Sequence, residues 1–218
     1  MGCKVNAGSV CKDWSEYTLE EWNEMKAKYY TKEMHPDANY GDDLVDARDN
    51  NVYKTVFING KRVMAENLRY VDSVHNEHLK NSNFYCDGDK LENCAIVGGY
   101  YTWTAAMEIC PEGWHIPSEE EWEDLISGIE FNSLQMMGLN SEWSWATDVS
   151  GFSAIPNMSE HSYYYGIRTH FWSSTTSTAY SDTLHASYLV IWDNSVGIGI
   201  QADHKSSFKS VRCIQDDP

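Results

Sequence analysis

Eight aromatic residues in the second half of the chain offer the clearest chemistry. They are Trp143, Trp145, Tyr163, Tyr164, Tyr165, Tyr180, Tyr188 and Trp192. Flat rings left at a surface stack on the apolar faces of sugars or on a partner's side chains, and polar neighbours fix the orientation. Three tyrosines in a row cannot all point inward, so at least one of Tyr163 to Tyr165 is expected outside. The expected ligand-binding set is therefore Trp143, Trp145, Tyr163, Tyr164, Tyr165, Tyr180 and Trp192.

Other chemistries find less support. Acidic residues number 33, so paired carboxylates arise by composition alone and say nothing about glycoside hydrolysis. His75 and His78 stand three apart without a His-Glu-x-x-His pattern, and are read as solvated. No Gly-x-Ser-x-Gly elbow and no phosphate-cradling glycine loop is present. Asp87, Asp89 and Glu92 supply hard oxygens suited to calcium, but the twelve-residue loop of an EF-hand is missing. We expect no resident cofactor, with calcium the minor alternative.

The elements that must position these residues are readable. The stretch Cys110 to Trp122 holds two prolines and a glycine, and forces a bend around Trp114 and Ile116. Ser118 and Glu121 form a capping box, and Trp122, Leu125, Ile126 and Ile129 follow on one helix face. Upstream, Thr102 is expected to cap a second helix with Trp103, Ala106, Met107 and Cys110 on its stripe. A further capping box, Thr18 with Glu21, opens a helix whose inner side is read as Leu19, Trp22, Met25 and Tyr29, stopped by His35-Pro36. Residues 52 to 58 read as a strand, Asn59-Gly60 as a hairpin turn, and Lys61 to Ala65 as the return. Residues 71 to 98 read as loops, 132 to 139 as a short helical turn, and 140 to 166 as a long functional loop. Strands are expected at 169–174, 184–192, 195–201 and 208–214, with Asp193-Asn194 as a turn. Helices in the middle and antiparallel strands at both ends give an α+β fold.

A net charge of -17 repels phosphate backbones and anionic lipid headgroups, so nucleic acid is excluded as a partner. No apolar run of 18 residues exists, so no membrane span is expected. Six cysteines among many turns point to an oxidising compartment and allow 15 pairings. We expect Cys3–Cys11, Cys86–Cys94 and Cys110–Cys213, with buried free thiols as the alternative. The chain opens Met-Gly-Cys, and no signal-peptide pattern is seen. If Cys3 were instead the acylated cysteine of a lipoprotein, it would be a lipid anchor and Cys11 would be left odd.

Several ordered motifs carry a resemblance. They are Asp46-Ala-Arg-Asp49 with Tyr53-Lys-Thr-Val56, Met64-Ala-Glu-Asn-Leu68, Gly99-Tyr-Tyr-Thr-Trp103-Thr-Ala-Ala, Cys110-Pro-Glu-Gly-Trp-His-Ile-Pro-Ser118 with Glu121-Trp122, Gly151-Phe-Ser-Ala-Ile-Pro156, Phe171-Trp-Ser-Ser174, and Ser210-Val-Arg-Cys-Ile214. Together, over roughly residues 44 to 216, the chain resembles the Fibrobacter succinogenes major paralogous domain. It departs from the family at Val63, where tryptophan is usual, and at Asn157, where glycine is usual. The resemblance implies a C-type-lectin-like fold: an antiparallel sheet, two packed helices and long irregular loops, stabilised by disulfides. It also implies a bacterial surface protein or lipoprotein, outside the cell. Trp103, Trp114, Trp122 and Trp172 fall in these motifs or on helix stripes and are assigned to the core. Trp192-Asp193-Asn194 is similar to a lectin sugar motif but in the wrong order, and is read as a turn.

The expected organisation is an N-terminal extension with one amphipathic helix, residues 1–45, and a lectin-like domain, residues 46–218. The expected function is non-catalytic binding or adhesion, to plant-cell-wall polysaccharide or a partner protein. One alternative is an assembly module of a surface complex. Another is an oxidase of the formylglycine-generating type, similar in Pro117 to Trp122. That chemistry needs two nearby C-terminal cysteines, and only Cys213 is available.

Overall fold

The computed structural model describes residues 18–71, 80–81, 83–127, 129, 148–155, 168–192 and 197–217. In chain order the elements are α1 (Leu19–Tyr29), β1 (Leu44–Val45), β2 (Val52–Tyr53), β3 (Thr55–Ile58), β4 (Lys61–Met64), β5 (Lys80–Asn81), β6 (Phe84–Tyr85), α2 (Leu91–Val97) and β7 (Tyr100–Tyr101). They continue with α3 (Trp103–Ala106), β8 (Trp114–His115), α4 (Glu119–Ser127), β9 (Arg168–Thr176), β10 (His185–Trp192), β11 (Ile198–His204) and β12 (Ile214–Gln215). Helices and antiparallel sheets are mixed, as an α+β reading requires. The strand orders are β11-β10-β9, β3-β4-β12-β8, β5-β6-β7 and β1-β2. One parallel bridge, Phe171 with Ser210, links sheet β9 to the C-terminal segment.

Both capping boxes form. Thr18 Oγ1 accepts from the Glu21 N–H at 3.2 Å, and the Glu21 carboxylate accepts from the Thr18 N–H at 3.0 Å. At α4 the Glu121 N–H donates to Ser118 Oγ at 3.2 Å and the Ser118 N–H to Glu121 Oε2 at 2.8 Å. The hairpin turn also forms: Asn59 and Gly60 have φ of 49° and 78°, the pair of left-handed residues a two-residue hairpin needs. In the corner before α4, Gly113 adopts a φ of 77° and the Trp114 N–H donates to the Pro111 carbonyl at 3.0 Å.

Strands β9 and β10 divide the core. Phe171, Leu189 and Ile191 point to one face and pack with Trp122, Leu125 and Ile126 of α4 and with Phe152. Trp172, Tyr188 and Val190 point to the other and pack with Trp114, Val211 and Cys213. This is the period of two expected of strands buried on both faces. Two predicted disulfides are present: Cys86–Cys94 with Cα atoms 5.1 Å apart and Cys110–Cys213 at 5.9 Å. The second closes a separation of 103 residues, worth about 4–5 kcal/mol in the chain-entropy account. Cys3 and Cys11 lie outside the described residues.

Several expectations are corrected. The helix after Thr102 is one turn, not two. Its hydrogen bonds tighten to i+3 spacing, Glu108 N–H to Ala105 and Ile109 N–H to Ala106, before the chain turns to the disulfide. Thr102 makes no side-chain cap, and Trp103 is half-buried rather than core. Its indole N–H donates to the Ser173 carbonyl at 2.8 Å. Residues 80–97 are not all loop: they hold β5, β6 and α2, with Cys86–Cys94 tying the last two. On α1, Leu19 is 46 % exposed, while Lys26 turns inward to meet Glu66 at 2.6 Å. The strand expected at 208–214 reduces to β12. Before it, Lys209 and Ser210 make single bridges to Tyr101 and Phe171, so this segment crosses between sheets. The helical turn expected at 132–139 and the Asp193-Asn194 turn lie outside the described residues.

Candidate functional site

The aromatic residues expected to bind ligand are not gathered in one place. Trp143, Trp145, Tyr163, Tyr164 and Tyr165 lie outside the described residues, as do His75 and His78. Tyr188 is core: it is 6 % exposed, and its hydroxyl donates to Gln201 Oε1 at 2.8 Å. Tyr180 and Trp192 reach the surface at opposite ends of β10. From His185, on which Tyr180 stacks, to Trp192 is seven residues of strand, roughly 23 Å.

At the Trp192 end a trough of about 400 Å³ runs between β10 and β11. Val190 and Trp192 form one wall, and β11 with the Gly197 preceding it forms the floor. The register explains the opening. Gly199 lies opposite Val190, and the Trp192 N–H donates to the Gly197 carbonyl at 3.0 Å. Both glycines therefore share a sheet face with Trp192, and neither covers it. A Cβ at either position would meet nothing within 4 Å, so packing does not demand glycine there. The missing side chains instead leave the trough open. The Arg168 guanidinium stands 4.7 Å from the Trp192 ring centroid, and Gln201 adds an amide at the far end. A half-buried indole beside a bare backbone floor, with a cation and an amide at the margin, can take the apolar face of a ring and hydrogen-bond its edge. Arg168, Gly197, Gly199 and Gln201 were not singled out from sequence. The readable signal was Gly-x-Gly inside a strand pattern, which marks a bulge or a close approach.

At the Tyr180 end, the exposed tyrosine ring stacks on His185 with centroids 3.9 Å apart. His185 Nδ1 meets Asp182 at 2.8 Å, and the His204 ring lies edge-on at 5.5 Å. Leu184 beside them is 54 % exposed.

Among the described residues no three His, Cys, Asp or Glu side chains converge in a way that could hold a metal. Of the calcium candidates, Asp87 is buried and its backbone carbonyl accepts from the Asn93 side chain at 2.8 Å. Glu92 is exposed in the first turn of α2, and the Asp89 side chain lies outside what is described. Among the described residues no helix is long and apolar enough to cross a membrane.

No curated protein and no solved structure matches the chain. Residues 56–215 do match the family model of the Fibrobacter succinogenes major domain, so this disulfide-tied α+β chain belongs to that family.

Proposed function

We propose that the chain is a non-catalytic binding or adhesion domain with a lectin-like fold, acting outside the cell or on its surface. Its ligand is a plant-cell-wall polysaccharide, or failing that a partner protein, held by stacking on Trp192 along the β10–β11 trough. The observation that carries this reading is the open glycine floor beside that indole. The Cys86–Cys94 and Cys110–Cys213 bonds support an oxidising location. Cys213, paired with Cys110, is not a free thiol for a copper-dependent oxidase, which counts against that alternative.

Pull-down on insoluble cellulose and a glycan array test the proposal. Trp192→Ala removes the stacking wall, and Gly199→Val fills the trough from the floor. Each is expected to weaken binding by roughly tenfold, the equivalent of one lost stacking contact. Thermal melts of both variants should stay near wild type. Absence of binding to every polysaccharide, or variants that bind as wild type, would sink the reading.

Exposed Tyr180 and Leu184 favour a second reading, an assembly module that packs against another copy or a surface partner. A concentration-dependent oligomer in light scattering, lost in Tyr180→Ser with Leu184→Ser, would select it.

A further inference from the structure

A second hollow, sharing no lining residue with the trough, lies where α1 meets β2 and α2. Its volume is about 430 Å³. One wall is a single face of α1: Leu19, Asn23, Lys26 and Ala27, spaced i, i+4, i+7 and i+8. The facing wall comes from Asn50 to Val52, Lys54, Glu66 and Arg69. The chain as a whole is strongly acidic, yet this lining carries three cationic side chains against one carboxylate.

The bonding inside is incomplete in a particular way. Glu66 is saturated: Oε1 accepts from Lys26 Nζ at 2.6 Å and from Arg69 Nη1 at 3.4 Å, and Oε2 from the Lys54 N–H at 2.7 Å. Burial pushes the Glu66 carboxyl up, but the Lys26 and Arg69 charges outweigh it and hold it below the ordinary range. Lys54 Nζ is spent on Asp43, at 2.8 and 2.9 Å. Asn51 is spent between Asp49 and Arg69. Lys26 is different. The residue is 9 % exposed, and its ammonium carries three donors and meets only Glu66 among the described residues. The side-chain amides of Asn23 and Asn50 also make no hydrogen bond within the described residues, and Asn50 is held at a φ of 60°. A buried cation with donors to spare, two solvent-exposed amides at the mouth and an apolar rim of Leu19 and Val52 give the hollow the lining of a small-ligand site.

We propose that this seam pocket binds the carboxylate of an acidic sugar. Lys26 takes the carboxylate, the Asn23 and Asn50 amides take ring hydroxyls, and Leu19 and Val52 lie under the C–H face. Charge favours a monoanion. With Asp43 neutralising Lys54, the wall and its ion-pair partners hold one net positive charge, which a single carboxylate balances and a phosphate dianion exceeds. The ligand differs in charge from the neutral ring the Trp192 trough suits, and the site differs in origin. The α1 wall belongs to the N-terminal segment that precedes residues 56–215, the family-matched part, so that segment completes the pocket.

Isothermal titration with trigalacturonate tests it on the whole chain. The acid is expected to bind, and its methyl ester to bind at least about tenfold more weakly, the loss of one charge-assisted hydrogen bond. Lys26→Met would strand buried Glu66, so the deciding variants are Ala27→Glu and Asn23→Glu, both at exposed helix positions. Each puts a negative charge at the mouth and is expected to abolish binding with an unchanged melt. Excess cellohexaose should not compete, which separates this site from the trough. Equal binding of acid and ester, full binding in Ala27→Glu, or equal affinity for inorganic phosphate or for an acetylated dipeptide carboxylate would each overturn the proposal.

Discussion

Lys209 and Arg212 stand three residues apart, and each lies over a pair of aromatic rings on opposite faces of the C-terminal sheet. Arg212 sits 4.2 Å from the Phe152 ring centroid and 5.0 Å from that of Phe171, on the α4 side. The Lys209 ammonium sits 3.9 Å from Tyr188 and 4.8 Å from Trp172, on the disulfide side. Their polar partners differ. Arg212 donates to Asn67 Oδ1 at 2.9 Å and to the carbonyls of Phe152 and Ser153, so it organises a loop, and it makes no direct ion pair among the described residues. Burial lowers its pKa to about 10. Lys209 spends its charge on Asp203 at 2.7 Å, whose side chain is 41 % exposed. A planar fork reaches several acceptors at once, whereas an ammonium serves as a point charge. The lesson is that one cation is structural through its geometry and the other through its charge.

Cutting the anchor of the shared segment disturbs both faces at once. Cys110→Ser frees Cys213 and is expected to lower stability by about 4–5 kcal/mol, read from chemical denaturation, and a reducing agent should mimic it in the wild type. Arg212→Met keeps the apolar stem but strands the Phe152 and Ser153 carbonyls and the Asn67 amide; a loss of about 3 kcal/mol is expected. An Arg212→Met protein as stable as wild type would erase the distinction between the two cations.

Acid separates the faces next. Burial, outweighing the hydrogen bonds from Ser153 and Tyr29, raises Asp148 on the Arg212 side to about 7. Its contribution is therefore present below about pH 4 and is lost as pH rises through 7. Burial, aided by Lys209 and Arg168, depresses His170 on the Lys209 side to about 2. Its contribution is present above about pH 6.5 and is lost as pH falls. The two slopes oppose each other between pH 4 and 6.5. Asp148→Asn should steepen acid destabilisation and His170→Gln should reverse it, each by on the order of 2 kcal/mol across that window. Melting temperatures from pH 4 to 8 decide. The smallest effect is expected from Lys209→Met. It removes a buried charge and its desolvation while Asp203 stays solvated, so stability should move by no more than about 1 kcal/mol.

What was legible in the sequence was local. Thr18 with Glu21, Ser118 with Glu121 and Asn59-Gly60 each complete their signal within a few residues, and all three form. The strands expected at 169–174 and 184–192 were equally readable, and they form as β9 and β10. Distant partners decided the rest. Lys26 turned inward because Glu66, forty residues away, lies beneath it, and nothing near Leu19 announces that. The second helix stopped at one turn because Cys110 had to reach Cys213, and Arg48 takes the Ile109 carbonyl at 2.8 Å. For the candidate site, Trp192 was readable as an aromatic near a loop. Its separation from Tyr180 was readable too, since β10 lies between them. The trough left only the Gly-x-Gly spacing as a trace, because it is made of side chains that Gly197 and Gly199 lack.

The position of β12 has a consequence for how the molecule comes into being. Ile214 is hydrogen-bonded between Val63 of β4 and His115 of β8, so a segment near the C-terminus forms the inside of its sheet rather than an edge. During synthesis the hairpin and the corner must wait, their facing edges open, until some hundred further residues have emerged. Cys110 waits with them for Cys213, its partner. The sheet is thus completed only when β12 arrives, and the Cys110–Cys213 bond closes on the same segment.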